Sequence, residues 1–269
     1  EWLKRRLKSI GLSPINNVVD VTNFVLYEVG QPLHAFDAAE IKDQKIVVKK
    51  YAAGTKFITL DGTERTLTAQ DLMISDAEKP LCIAGVFGGL KSGVKETTKS
   101  IFLESAWFEN VHIRKTSVHH GLRTDAATRF EKGVDIENTV KVLERAALMI
   151  QEIAGGKIGK IADVYPAPAT KTRVILPLGY LKKLSGKDYP AEKVVTILTS
   201  LGFELVNETS TSIEVAVPYH KPDISLPADL VEEVLRIDGL DNIEIPSAIT
   251  LSPSIDPLEQ KEKFKDKIA

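Results

Sequence analysis

Between residues 165 and 170 the chain reads Tyr-Pro-Ala-Pro-Ala-Thr, and that segment partitions everything around it. Its two prolines fix φ and remove two backbone donors, so neither a helix nor a central strand can run through it. Hydrophobic periodicity stops before the segment and restarts on a smaller scale after it. The pattern predicts two α+β domains, a larger mixed-sheet domain with helices at 1–166 and a smaller one at 171–245, with a charged, linker-like tail at 246–269. Of 269 residues, 43% are hydrophobic, enough to supply one core to each domain. No internal repeat is visible, and no apolar run nears the ~20 residues a membrane span needs.

Within the first domain, Leu3, Leu7 and Ile10 fall at helical spacing and Gly11 closes that run. A second helix carries Val18, Val21, Val25 and Val29 on one face and stops at Gly30. Residues 41–50 read as a strand and 56–67 as a hairpin turning at Asp61-Gly62. Short apolar runs at 72–75, 81–87 and 100–105 have strand length, and Phe87-Gly88-Gly89 suggests a close backbone approach. The clearest long helix spans 137–154, with Val140, Leu143, Ala147 and Ile150 as its apolar stripe. In the second domain, strands are expected at 173–176, 203–206 and 213–217, and helices at 178–184, after Pro190, and at about 226–237.

No Walker loop, dinucleotide fingerprint, zinc helix or nucleophile elbow occurs. The single cysteine, Cys82, excludes an internal disulfide and suits a reducing compartment; inside an apolar run it reads as a buried inert thiol. Thr22, Asn23 and His34 bring hydroxyl, amide and imidazole to one helix and the loop after it. They either converge on a ligand or, with Gln31, satisfy backbone groups at a helix end. Glu104 shares a strand face with Phe102 and Ala106. That face makes it either a hydrogen-bond acceptor in an apolar pocket or a solvent-facing carboxylate on an edge.

The 35 basic and 37 acidic residues nearly cancel, but not locally. Residues 112–133 hold five Lys and Arg against two acids plus three histidines, which suits either a phosphate backbone or a solvated helix face. Residues 223–244 hold seven acids and one base. Among them Asp229, Glu232 and Glu233 share a helix face near its start. With Asp223 they offer oxygen ligands for Mg²⁺, or first-turn acids that cap a helix.

Several stretches together resemble one family, the β subunit of bacterial phenylalanyl-tRNA synthetase. They are Asn16-Asn-Val-Val-Asp-Val-Thr-Asn23, Gly30-Gln-Pro-Leu-His-Ala-Phe-Asp37, Ala84-Gly-Val-Phe-Gly-Gly89, Leu103-Glu-Ser105, His120-Gly-Leu-Arg-Thr-Asp-Ala126 and Arg129-Phe-Glu-Lys-Gly-Val-Asp135. In the second domain Leu230-Val-Glu-Glu-Val-Leu-Arg-Ile-Asp-Gly239 fits as well. Lys132 and Ala127 depart from the Arg and Ser expected there.

The resemblance implies that the first domain edits, hydrolysing tyrosine wrongly attached to tRNA(Phe). His34, Glu104 and Thr124 would then act on the ester or read its side chain, Glu104 accepting from the tyrosine hydroxyl. Thr22, Asn23, Gly88 and Ala126 would line the substrate pocket. It also implies Mg²⁺ at Asp223, Asp229, Glu232 and Glu233, an α-subunit partner that binds ATP, a cytoplasmic heterotetramer and tRNA(Phe). With neither an initiator Met nor a signal peptide, the chain is expected to be two consecutive modules of a longer subunit. The family's other modules would flank it: an OB-fold on one side, catalytic-like and anticodon-binding domains on the other.

Overall fold

The computed structural model describes residues 1–244 and 259–268. Helix α1 (Trp2–Ser9) buries Leu3 and Leu7 against α2 (Asn17–Val29). Asn16 caps α2 through its side-chain oxygen, 2.9 Å from the Val19 amide, and Gly30 ends it in the left-handed region at φ 77°. Strand β1 (Leu33–Asp37) follows. Then come β2 (Val47–Lys50), the hairpin β3 (Lys56–Ile58) and β4 (Glu64–Thr66), and β5 (Leu72–Ser75), β6 (Pro80–Ile83), β7 (Phe87–Gly88) and β8 (Ile101–Ser105). Helices α3 (Asn110–His120), α4 (Asp125–Lys132) and α5 (Thr139–Ala154) complete the larger domain.

The α+β class holds, but the larger domain is not built on one mixed sheet. Its strands pair antiparallel in three sheets, ordered β1-β8, β2-β5-β6-β7 and β3-β4. The β1–β8 ladder forms a middle layer. Leu33 and Leu103 face the α1/α2/α5 side, where Val21, Val25, Val142, Ala146 and Met149 are buried. Phe36 and Ala106 face the four-stranded sheet and the core of Met73, Ile83 and Phe130. Each face of the ladder therefore has its own core, and strand alternation decides which residue serves which.

Three expectations shift. Residues 41–50 form a strand only from Val47. Asp43 and Gln44 take positive φ (55° and 49°), and Asp76 accepts from the Lys42 amide at 3.1 Å, so the chain folds into short 3₁₀ turns first. The apolar run at 81–87 breaks into β6 and β7, since Val86 donates back to the Ile83 carbonyl at 3.0 Å. On α5 the core-facing stripe is Val142, Ala146 and Met149. The expected stripe of Val140, Leu143, Ala147 and Ile150 instead lines a cleft of about 1880 Å³ beside residues 155–167. This helix is apolar over more than one face, and periodicity alone does not choose between them.

The smaller domain is the sheet β9 (Arg173–Pro177), β10 (Glu204–Glu208) and β11 (Ser212–Ala216), ordered β10-β11-β9, with α6 (Leu178–Ser185), α7 (Ala191–Ser200) and α8 (Pro227–Asp238). Its core gathers Leu176, Leu198, Ile213, Leu230 and Val234. Of the expected tail, residues 246–258 lie outside the described residues, and α9 (Glu259–Ile268) follows them.

Gly89 marks the tightest packing near β7. A Cβ there would lie 2.5 Å from the Leu81 carbonyl oxygen and 2.7 Å from Phe57 Cζ. At Gly62 (φ 76°) nothing lies within 4 Å. Gly89→Ala is therefore expected to cost about 3 kcal/mol or more in urea unfolding, and Gly62→Ala only about 1 kcal/mol of backbone strain. Equal losses would contradict this packing.

Candidate functional site

In the β1–β8 register His34 stands directly opposite Glu104, so the two side chains leave the ladder on the same face. Phe36 and Phe102 are the next such pair, with ring centroids 6.1 Å apart, and the His34 ring meets Phe36 edge-on at 4.4 Å. Glu104 is half-buried on this face, with its Oε2 turned inward, while Phe102 beside it stays exposed.

His34 Nε2 and Glu104 Oε2 are both sealed from solvent, and neither has a hydrogen-bond partner. Burial drives the His34 imidazole down to about 4 and pushes the Glu104 carboxyl up to about 8. At neutral pH the pair is an uncharged imidazole facing a protonated carboxyl, which can donate as well as accept. Among the described residues only one other buried side-chain atom is unpartnered, Gln31 Oε1. Gln31 lies three residues before His34, and its amide nitrogen donates to the Ala106 carbonyl at 2.8 Å, just past Glu104. All three orphaned atoms thus lie along β1, β8 and the residues that flank them. Each costs about 1–3 kcal/mol when left unmade, which marks the place where a polar ligand would be most rewarded.

Gly88 closes the site from the opposite sheet. A Cβ on it would meet Leu60 Cδ1 at 2.8 Å, His34 Cε1 at 2.9 Å and His34 Nε2 at 3.3 Å. Cys82, paired with Gly88 across β6–β7, is buried with its thiol donating to the Phe87 and Ile83 carbonyls. Burial, followed by the nearby Glu104, pushes that thiol well up, in keeping with an inert role.

The other expected residues are placed less directly. Thr124 caps α4: its hydroxyl accepts from the Ala127 amide at 3.0 Å and donates to the Val86 carbonyl at 2.9 Å. That hydroxyl is already engaged, tying α4 to the turn that leads to Gly88. Ala126 packs at the margin of the same core. Thr22 and Asn23 stand on α2, which packs against β1, and the Thr22 hydroxyl donates to the Val19 carbonyl at 2.9 Å. The structure brings His34, Glu104 and Gly88 together and links Thr124 to them through Val86; Gln31, read only as a candidate to satisfy backbone groups, also carries an unpartnered oxygen there, and Leu60 is added, which motif reasoning passed over.

The basic stretch at 112–133 is not one solvated face. His120 is turned inward with Nε2 2.8 Å from Asp71 Oδ2, and Thr116 donates to the other Asp71 oxygen at 2.9 Å. Arg129 lies over the Tyr27 ring, 4.5 Å from its centroid. Arg114, Lys115, Arg123 and Lys132 remain exposed.

In the smaller domain Asp229 accepts from the Ser225 and Leu226 amides at 2.8 and 2.7 Å, and these bonds hold its carboxyl low. Glu233 is buried against Lys221 (2.7 Å) and Arg236 (2.8 Å), which keep it low although burial pulls the other way. Asp223 and Glu232 are exposed. Among the described residues no three His, Cys, Asp or Glu side chains are grouped to hold a metal. Asp229 thus follows the helix-capping reading, and Glu233 is taken up by its two ion pairs.

Residues 1–155 match the B3/4 domain model and residues 174–240 the tRNA synthetase B5 domain model. The chain belongs to the B3/4 domain family. Curated relatives of the chain include phenylalanine--tRNA ligase beta subunits. The Bacteroides fragilis (strain YCH46) protein is 48% identical over 253 residues, covering 94% of this chain and 31% of the relative. The Carboxydothermus hydrogenoformans protein is 48% identical over 252 residues, 93% of this chain and 32% of the relative. The chain thus spans about a third of the length of those relatives. A crystal structure of an N-terminal fragment of the phenylalanyl-tRNA synthetase β-subunit from Pyrococcus horikoshii aligns over 81% of this chain and 64% of that one, at 17% identity and TM-score 0.40. Among the described residues no helix is long and apolar enough to cross a membrane.

Two outcomes test the electrostatics. Unfolded, Glu104 titrates near 4.5 and His34 near 6.5. Between those values the two groups oppose each other, since folding takes up a proton at Glu104 and releases one at His34. Above pH 6.5 only Glu104 remains, the folded state holds the extra proton, and stability falls as pH rises toward 8. The expected loss from pH 6.5 to 8 is on the order of 2 kcal/mol in urea unfolding, and Glu104→Gln is expected to remove that slope; a slope unchanged in the variant would contradict it. For the acidic helix, millimolar Mg²⁺ or EDTA is expected to leave the unfolding temperature within about 1 °C. A Mg²⁺-dependent rise abolished by Glu232→Gln would support the metal reading instead.

Proposed function

We propose that the chain is the editing part of a phenylalanyl-tRNA synthetase β subunit and that it hydrolyses tyrosine mistakenly esterified to tRNA(Phe). The observation that carries the reading is the sealed His34–Glu104 pair, with one unpartnered polar atom on each side chain. A scaffold or docking surface alone gives no reason to keep two such atoms buried. The names and order of the matched domains support the family context.

Tyrosine and phenylalanine differ by one hydroxyl, so a synthetic site discriminates between them only so far, and a second site that reads the hydroxyl supplies the rest. Glu104, protonated in an apolar setting, can exchange a hydrogen bond with a phenolic hydroxyl; phenylalanine would leave it unpaired at the same cost it bears now. His34, neutral and with its titration driven down to about 4, is a poor general base. The reaction is therefore read as water held against an activated ester, with His34 orienting it and positioning providing most of the rate. Water adds to the ester carbonyl, the bond to the ribose oxygen breaks, and that oxygen leaves with the proton.

In this reading the α subunit is the partner, it binds ATP and carries out synthesis in a cytoplasmic heterotetramer, and the exposed Arg and Lys of α3 and α4 face the tRNA. The test follows deacylation of tyrosyl- and phenylalanyl-tRNA(Phe) by the complete synthetase. Glu104→Ala is expected to cut the preference for tyrosine by about 10- to 100-fold, as loss of one buried hydrogen bond requires. A preference unchanged by Glu104→Ala would contradict the assignment.

A further inference from the structure

Leu60 is a large side chain that reaches from solvent to the sealed pair. It is 43% exposed, yet its Cδ1 lies 2.8 Å from the point where a Gly88 Cβ would sit, and His34 Cε1 lies 2.9 Å from that same point. Its other methyl approaches Gly93, whose backbone bridges to Phe36, the ring against His34. Leu60 is thus the cover that lies across His34 and Gly88.

The backbone around Leu60 is fixed on both sides. Its amide donates to the Gly88 carbonyl at 3.0 Å, Thr59 bridges to Gly89, and Leu90 donates to the Ile58 carbonyl at 3.1 Å. Across the turn the buried Thr59 hydroxyl donates to Asp61 at 2.6 Å. Arg65 bonds Thr59 at 3.0 Å and Asp61 at 2.8 Å, and its remaining nitrogen reaches the His120 carbonyl at 2.7 Å. The Thr59 hydrogen bond, with help from Arg65, lowers the Asp61 carboxyl to about 2, so this network stays charged across the working pH range. The backbone that carries Leu60 is therefore held in place over Gly88. An apolar wall beside a polar reader selects by size what the polar group selects by hydrogen bonding.

We infer that Leu60 is a specificity-determining residue that sets the width of the aromatic subsite beside His34 and Glu104, admitting a para-hydroxyphenyl ring and turning away bulkier ones. This rests on the hydrolytic reading above. Shortening the side chain should widen the subsite while the hydroxyl contact at Glu104 persists. Enlarging it should close the subsite to tyrosine.

The test uses the complete synthetase and tRNA(Phe) acylated with tyrosine or with the bulkier 3-iodotyrosine. Leu60→Ala is expected to raise kcat/KM for the iodotyrosyl ester relative to the tyrosyl ester about tenfold or more. Leu60→Phe is expected to lower tyrosyl hydrolysis by a similar factor with its unfolding temperature unchanged. Ile58→Ala, on the same hairpin and equally exposed at 43%, is expected to leave the ratio alone. If the parent hydrolyses tyrosyl-tRNA and the ratio stays within about twofold in Leu60→Ala, the role of Leu60 is overturned and the hydrolytic reading stands. If the parent hydrolyses neither ester, both fall together.

Discussion

The constraint on which the larger domain turns is the two-stranded β1–β8 ladder, which sets His34 opposite Glu104 and seals one polar atom of each from water without giving it a partner. Because alternate residues serve opposite cores, the register cannot slip by one without moving Leu33 and Leu103 out of the helical core and the two polar groups into it. The helices α2 and α5 on one side and the four-stranded sheet on the other hold the ladder in place. The functional pair thus sits at the centre of the domain's layering, and its unmet hydrogen bonds are tolerated because both surrounding cores fix the position.

That placement changes the chemistry expected of a carboxylate. Away from water, Glu104 keeps its proton at neutral pH and His34 sheds its own. The pair is electrically neutral, so under the proposed reading no charge has to be desolvated when an aromatic side chain enters beside Gly88, and its hydroxyl would be read through hydrogen bonding alone. Discrimination in such a site depends on the penalty for leaving Glu104 unpaired rather than on Coulombic attraction.

Much of this was legible in the sequence where local rules dominate. The Pro-rich break at 165–170 separated two cores that the structure keeps separate, and alternation at 102–106 put Phe102, Glu104 and Ala106 on one face. Gly30 ended its helix as expected, and Phe87-Gly88-Gly89 marked a real close approach. What could not be read was everything set by tertiary partners. Nothing local pairs His34 with Glu104, since 69 residues of chain lie between them. The second apolar face of α5 competed with the true one. Nor does the acidic run at 223–244 announce its basic partners. Asp238 is in fact neutralised by Lys187 and Lys193 with a hydrogen bond from Tyr189, and Glu233 by Lys221 and Arg236. Likewise Asp71 draws His120 out of the basic stretch. A charge count along the chain measures neighbours in sequence, and ion pairs choose neighbours in space.

The central claim is that the unpaired Glu104 exists to read one hydroxyl, and binding without chemistry tests it most directly. The measurement is calorimetric titration of the protein with adenosine carrying tyrosine or phenylalanine through a non-hydrolysable 3′-amide. The account requires the tyrosyl analogue to bind about tenfold or more tightly than the phenylalanyl one, as a single buried hydrogen bond implies. Equal affinities for the two would contradict it.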